Sequence, residues 1–135
     1  MSRNSTNHVF FNAVSANGVS AAFFVRDWKN ITFDIGTLSF TTGSTVTIKA
    51  QGAVGDTKPD FSAAATLANP WTYIQIVDVN TGIAKDGSTG VTIAGADDLD
   101  KYEFNTNGLD WVSLELTAYN APGTITSNAR AYNNV

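Results

Sequence analysis

The chain is written in a two-residue rhythm. Ile31, Phe33 and Ile35 alternate with Thr32 and Asp34, and Val46, Ile48 and Ala50 alternate with Thr47 and Lys49. Successive side chains on a strand point to opposite faces, so this alternation predicts strands with one buried and one solvated side. Further strands are predicted over residues 8–14, 21–25, 71–79, 90–94, 101–105, 111–119 and 124–132. Between them stand Asn17-Gly18, Asn80-Thr81-Gly82, Asp86-Gly87, Asn107-Gly108 and Pro122-Gly123. These read as tight reversals, where glycine and asparagine tolerate positive φ. No window carries a convincing helical period; the best candidate is one or two turns over residues 61–68. The segment 52–70 is the longest connection, long enough to cross from one sheet to another. Short strands with regular turns predict an all-β fold, a single antiparallel β-sandwich of about 8–10 strands. The polar start predicts a flexible N-terminal arm over residues 1–8, with the sandwich domain over residues 9–135.

Two places break the alternation. Phe10-Phe11 and Phe23-Phe24 put large aromatics at neighbouring strand positions, where only one of each pair can face the core of a regular sandwich. The second ring needs a cover, either a loop of the same chain or another subunit. Phe10, Phe11, Phe23 and Phe24 are therefore the candidate interface residues.

Composition narrows the function. At 135 residues the chain is sized for one core. Charged residues make up only 15% and the formal net charge is -4, so the surface is neutral, hydrogen-bonding and without the basic stripe that phosphate backbones require. Nucleic acid is excluded as a partner on that ground. With no cysteine, disulfides, thiolate metal sites and cysteine nucleophiles are excluded together. The N-terminus lacks the apolar stretch of a secretory signal, and no run approaches the roughly 18 apolar residues of a membrane span. Synthesis in the cytoplasm and no membrane partner are expected.

Catalytic chemistry finds little material. The single histidine, His8, lies in the predicted arm, away from any evident nucleophile. Glu103 with Glu115 or Asp110 could form a glycosidase pair, although their spacing equally suits surface strand charges. Asp86-Gly87-Ser88-Thr89-Gly90 lacks the lysine of a phosphate loop and reads as a turn. Asp97, Asp98 and Asp100 are a weak calcium candidate, since Ca²⁺ accepts carboxylate ligands flexibly, but without EF-hand spacing a solvated acidic loop is the favoured reading. Trp28, Trp71 and Trp111 could stack on sugars, with core positions favoured. The chain is expected to be no enzyme and to need no cofactor.

The run over residues 52–62, with Asp56-Thr57-Lys58-Pro59-Asp60-Phe61-Ser62, is followed by Trp71-Thr72-Tyr73-Ile74-Gln75-Ile76-Val77-Asp78. Together with Asp86-Gly87-Ser88-Thr89-Gly90-Val91 and Phe104-Asn105-Thr106-Asn107-Gly108-Leu109-Asp110-Trp111-Val112, it resembles small virion structural proteins of tailed bacteriophages, over most of the chain after about residue 9. The resemblance implies a β-sandwich of jelly-roll type that decorates or cements a capsid. It would bind the major capsid protein or another virion protein, made in the host cytoplasm and located on the virion. A homotrimer around a local symmetry axis is the expected assembly. The alternative is a receptor- or glycan-binding module of a tail fibre or surface protein.

Overall fold

The computed structural model describes residues 4–104 and 108–133. Arm residues 1–3, the predicted strand end Asn105 and the turn residue Asn107 lie outside them. The strands in chain order are β1 (Ser5–Val14), β2 (Gly18–Val19), β3 (Phe23–Phe24), β4 (Asn30–Leu38), β5 (Thr45–Ala53), β6 (Trp71–Tyr73), β7 (Ile76–Asp78), β8 (Ala84–Lys85), β9 (Val91–Ala94), β10 (Leu99–Phe104), β11 (Trp111–Asn120) and β12 (Thr124–Tyr132). They form two antiparallel sheets packed face to face, the all-β sandwich that the alternation predicts. The first sheet runs β1-β12-β4-β10-β7-β8. The second runs β2-β11-β5-β6, with β3 also on β11 and β9 also on β5.

The core lies between the sheets. β4 contributes Ile31, Phe33 and Ile35, β5 contributes Val46, Ile48 and Ala50, β10 contributes Tyr102 and Phe104, and β11 contributes Val112, Leu114 and Leu116. In these four strands the two-residue alternation fixes which face goes inward.

Several expectations are corrected. Ser5 to His8 are not an arm: they pair in register with Tyr132 to Ala129 as the first half of β1. Among the described residues the strand count rises to twelve, because β2 and β8 are only two residues long, too short for alternation to register, and the predicted strand 71–79 divides into β6 and β7. Residues 61–68 form turns and a Thr66–Asn69 bridge rather than helical turns. There, Asp60 accepts the Ser62 N–H at 3.0 Å, and the Asn69 amide donates to the carbonyls of Asp60 and Ala64 at 2.8 and 3.1 Å.

The long connection does not cross between sheets, since β5 and β6 are neighbours. The crossing occurs inside the predicted strand 71–79. Ile74 still donates its N–H to the Ala50 carbonyl of the second sheet at 2.9 Å, whereas Ile76 already pairs with Phe104 of the first. Two glycines make room for this switch. A Cβ on Gly52 would lie 2.8 Å from Ile74 Cγ2, and one on Gly87 would lie 1.8 Å from the Ile74 carbonyl oxygen. Gly87 is thus required by close backbone approach, whereas Gly82 and Gly108 do take positive φ, at 70° and 83°.

Candidate functional site

Phe10 and Phe11 both face the core. Val9 pairs with Asn128 and Phe11 with the adjacent Ser127, so Phe10 is the extra residue of a β-bulge. A bulge re-aims a side chain that regular pleating would send outward. Phe10 meets Phe33, Phe104 and Phe23 with ring centroids 6.1, 5.9 and 6.2 Å apart. Phe10, Phe11 and Phe23 are buried within the chain itself, which corrects their reading as interface residues. Of the four aromatics only Phe24 is exposed, at 38%. His8 shares this inward direction: its ring stacks on Phe23 at 4.5 Å and its Nε2 lies 3.1 Å from the Ala21 carbonyl oxygen. Burial holds the imidazole below its ordinary pKa.

The other candidate residues are spread over the molecule. Glu103 and Glu115 point out from opposite sheets, because their neighbours Tyr102 and Phe104, and Leu114 and Leu116, point in. Asp110 is engaged by Arg26 Nε at 2.7 Å and the Gly55 N–H at 2.6 Å. No pair of these carboxylates converges. In the acidic loop, Asp97 accepts the Phe40 N–H at 2.7 Å and Asp98 Oδ1 accepts the Leu99 N–H at 2.8 Å. Asp100 turns inward, where burial first and then the Asp98 and Asp78 carboxylates hold its pKa above the ordinary value. Among the described residues, no group of three or more His, Asp or Glu is placed to hold a metal.

The two outer faces differ. On the second sheet, Trp71, Ala53, Trp111 and Phe24 form one cross-strand row. The 54–70 loop lies against it: Phe61 packs with Trp71 and Ala53, Gln51 Nε2 donates to the Phe61 carbonyl at 2.9 Å, and Trp71 Nε1 donates to Ala63 at 2.9 Å. Trp111 donates to the Gly55 carbonyl at 3.1 Å and packs on Phe24, whose other neighbour is the Arg26 guanidinium, 5.2 Å from the ring centre. Further along this face, the Tyr73 hydroxyl donates to Glu115 at 2.8 Å, with Lys49 Nζ 5.2 Å from the ring centre. Burial first, then the Glu115 carboxylate, pushes the phenol up to about 12. Trp28 packs against the main core. The tryptophans are therefore built into the chain's own packing.

The outer face of the first sheet is open. Asn7, Arg130, Thr32, Glu103 and Val77 follow one another across five strands. The next row holds Val9, Asn128, Asp34 and Lys101, with the Asn128 N–H donated to Asp34 at 2.9 Å. A groove of about 890 Å³ runs over this part, lined by Asn7, Thr32, Asp34, Lys101, Asn128, Arg130 and Tyr132. Beyond it come Thr126, Gly36 and Leu99, then Thr124 and Leu38, where Leu99 is 58% and Leu38 66% exposed. The face thus joins a hydrogen-bonding groove to an apolar end. Sequence reasoning passed over it because its residues are ordinary polar positions of an alternating strand; only the register gathers them.

No family model and no curated protein sequence matches the chain. In fold it is similar to the crystal structure of the SPBc2 prophage-derived protein YomS, with a TM-score of 0.65 and 15% identity over 96% of this chain and 93% of that one. It is also similar to the crystal structure of the PBSX exported protein XepA, with a TM-score of 0.66 and 13% identity over 96% of this chain. The match spans 38% of the XepA chain, so that protein holds the fold within a longer polypeptide. At these identities the shared property is the sandwich itself.

Proposed function

We propose that the protein is phage-associated and works by attachment rather than catalysis, as a decoration protein that seats the outer face of its first sheet on the major capsid protein lattice of a virion. The observation that carries this reading is the contrast between the faces: one has aromatic residues packed under the chain's own loop, the other leaves Leu38 and Leu99 exposed beside a polar groove. Apolar anchors rimmed by hydrogen-bonding groups are the ordinary make-up of a protein contact surface. The prophage derivation of the fold neighbour YomS supports the phage setting, as does the sequence resemblance to virion proteins.

Co-sedimentation with purified particles tests it. Saturable binding is expected, with a loss of at least about tenfold for Leu38→Glu combined with Leu99→Glu, whose side chains leave the core untouched. Failure to bind any particle, or full binding by the double variant, would sink the proposal. The groove itself favours a second reading, a glycan-binding module, since Asn7, Asn128 and Arg130 offer donors and Asp34 an acceptor in one concavity. Under that reading, Arg130→Ala and Asn128→Ala would abolish binding to immobilised oligosaccharide while the Leu38 and Leu99 variant retains it.

A further inference from the structure

An edge strand presents unpaired N–H and C=O groups to any chain that can align with it, and proteins blunt such edges with short strands, charges, proline or bulges. Here β2, β3, β6, β8 and β9 have one sheet neighbour each and are between two and four residues long. β1 is the exception. It is ten residues long, pairs only with β12 among the described residues, and keeps regular register from Ser5 to Val9 before the bulge at Phe10. From Asn4 to Val14 there is no Lys, Arg, Asp, Glu or Pro.

Its hydrogen-bonding phase is readable. The Asn133 N–H donates to the Asn4 carbonyl at 3.1 Å. Because alternate residues of an antiparallel pair exchange bonds, Thr6 and His8 also turn their backbone toward β12, leaving the N–H and C=O of Ser5, Asn7 and Val9 directed to the open edge.

We propose that this edge pairs with a second copy of itself, antiparallel across a two-fold axis at Asn7, so that the two first sheets become one. This register sets Asn7 against Asn7 and Ser5 against Val9 in both directions. All three pairs have outward-facing backbone groups and so exchange two hydrogen bonds each. The second copy is the fitting occupant because the strand is self-complementary in phase and carries no charged side chain to repel its twin. An isologous contact requires that self-complementarity. Pairing would also abut the two grooves along the shared edge. The inference is independent of particle binding, which is assigned to a face rather than an edge.

Sedimentation equilibrium of the full chain, over a wide concentration range, tests it. The wild type is expected to be a reversible dimer. Asn7→Pro removes an edge N–H that β12 does not use, and Asn7→Lys places two cations together at the axis. Both should weaken the dimer by at least about tenfold, with circular dichroism and Tm close to wild type, and added salt should partly rescue Asn7→Lys alone. If Asn7→Pro fails to fold, the Asn7→Lys result decides. A wild type that stays monomeric at high micromolar concentration, a trimer, or a dimer unaffected by Asn7→Lys overturns the proposal.

Discussion

Asp110 is held by two other stretches of chain at once, residues 25–26 and 53–55. Its carboxylate accepts from Arg26 and from the Gly55 N–H, its own N–H donates to the Ala53 carbonyl at 2.9 Å, and its carbonyl accepts the Val25 N–H at 2.8 Å. The Arg26 hydrogen bond, followed by that from Gly55, holds the carboxyl below its ordinary pKa. A carboxylate depressed on folding contributes stability above its unfolded pKa and loses it as pH falls through the lower, folded value. Replacing Asp110 by Asn keeps the shape and removes the charge. Tm at neutral pH should fall, and the gap to wild type should narrow as the pH is taken below about 4, the ordinary carboxyl value, and close once it has passed the lower folded value, where the wild-type carboxylate is protonated as well. Asp60 and Asp86, also lowered by hydrogen bonds from Ser62 and Ser88, titrate alike in both proteins and cancel. Thermal melts across pH 2 to 7 make the comparison, and parallel curves would show that the Asp110 charge contributes nothing.

At the scale of the element, the four paired phenylalanines look equivalent in sequence and are not. Two-residue alternation reveals a strand and its inward face, which is why β11 and β12 are legible nearly residue for residue and β4 and β5 over their central five residues. It cannot reveal a bulge, since the extra residue is defined only against the partner strand, and so Phe10-Phe11 suggested an external surface. Nor can it say which sheet a strand joins: Trp71 to Asp78 reads as one strand, yet the chain changes sheets at Ile74, where Gly52 and Gly87 leave space. The candidate site was least legible, because Asn7, Arg130, Thr32 and Asp34 come from three strands and mean nothing together until the register is known. The bulge has an energetic consequence. Phe10→Ala, Phe11→Ala and Phe23→Ala should each cost about 3–5 kcal/mol, the usual loss for emptying a buried phenylalanine site. Phe24→Ala, which loses its packing on Trp111 but leaves no core cavity, should cost roughly 1 kcal/mol. Urea denaturation of the four variants checks the order, and a cost for Phe10→Ala or Phe11→Ala as small as that for Phe24→Ala would mean that the bulge does not turn both rings inward.

For the whole molecule, the governing contact is between the ends of the described chain. β1 pairs with β12, and Asn4 is bonded to Asn133, so the first sheet closes only when strands from both ends of the sequence meet. Non-local pairing of this kind makes folding slow relative to helical domains of similar size. The same closeness means that the order of the strands along the chain is separable from their arrangement in space. Joining Asn133 to Asn4 through a short glycine-serine linker, and opening the chain at the exposed turn around Gly82, would preserve both sheets and every core pair. The permuted protein should keep the wild-type circular dichroism spectrum and a Tm within several degrees. It should also keep particle binding, because Leu38, Leu99 and the groove remain on one face. Self-pairing should weaken, because the linker leads directly into the edge residues of β1. A permutant that folds and binds particles but no longer dimerises would separate the face from the edge as distinct surfaces. One that fails to fold would show that the closure of β1 on β12 depends on the native order of the strands along the chain.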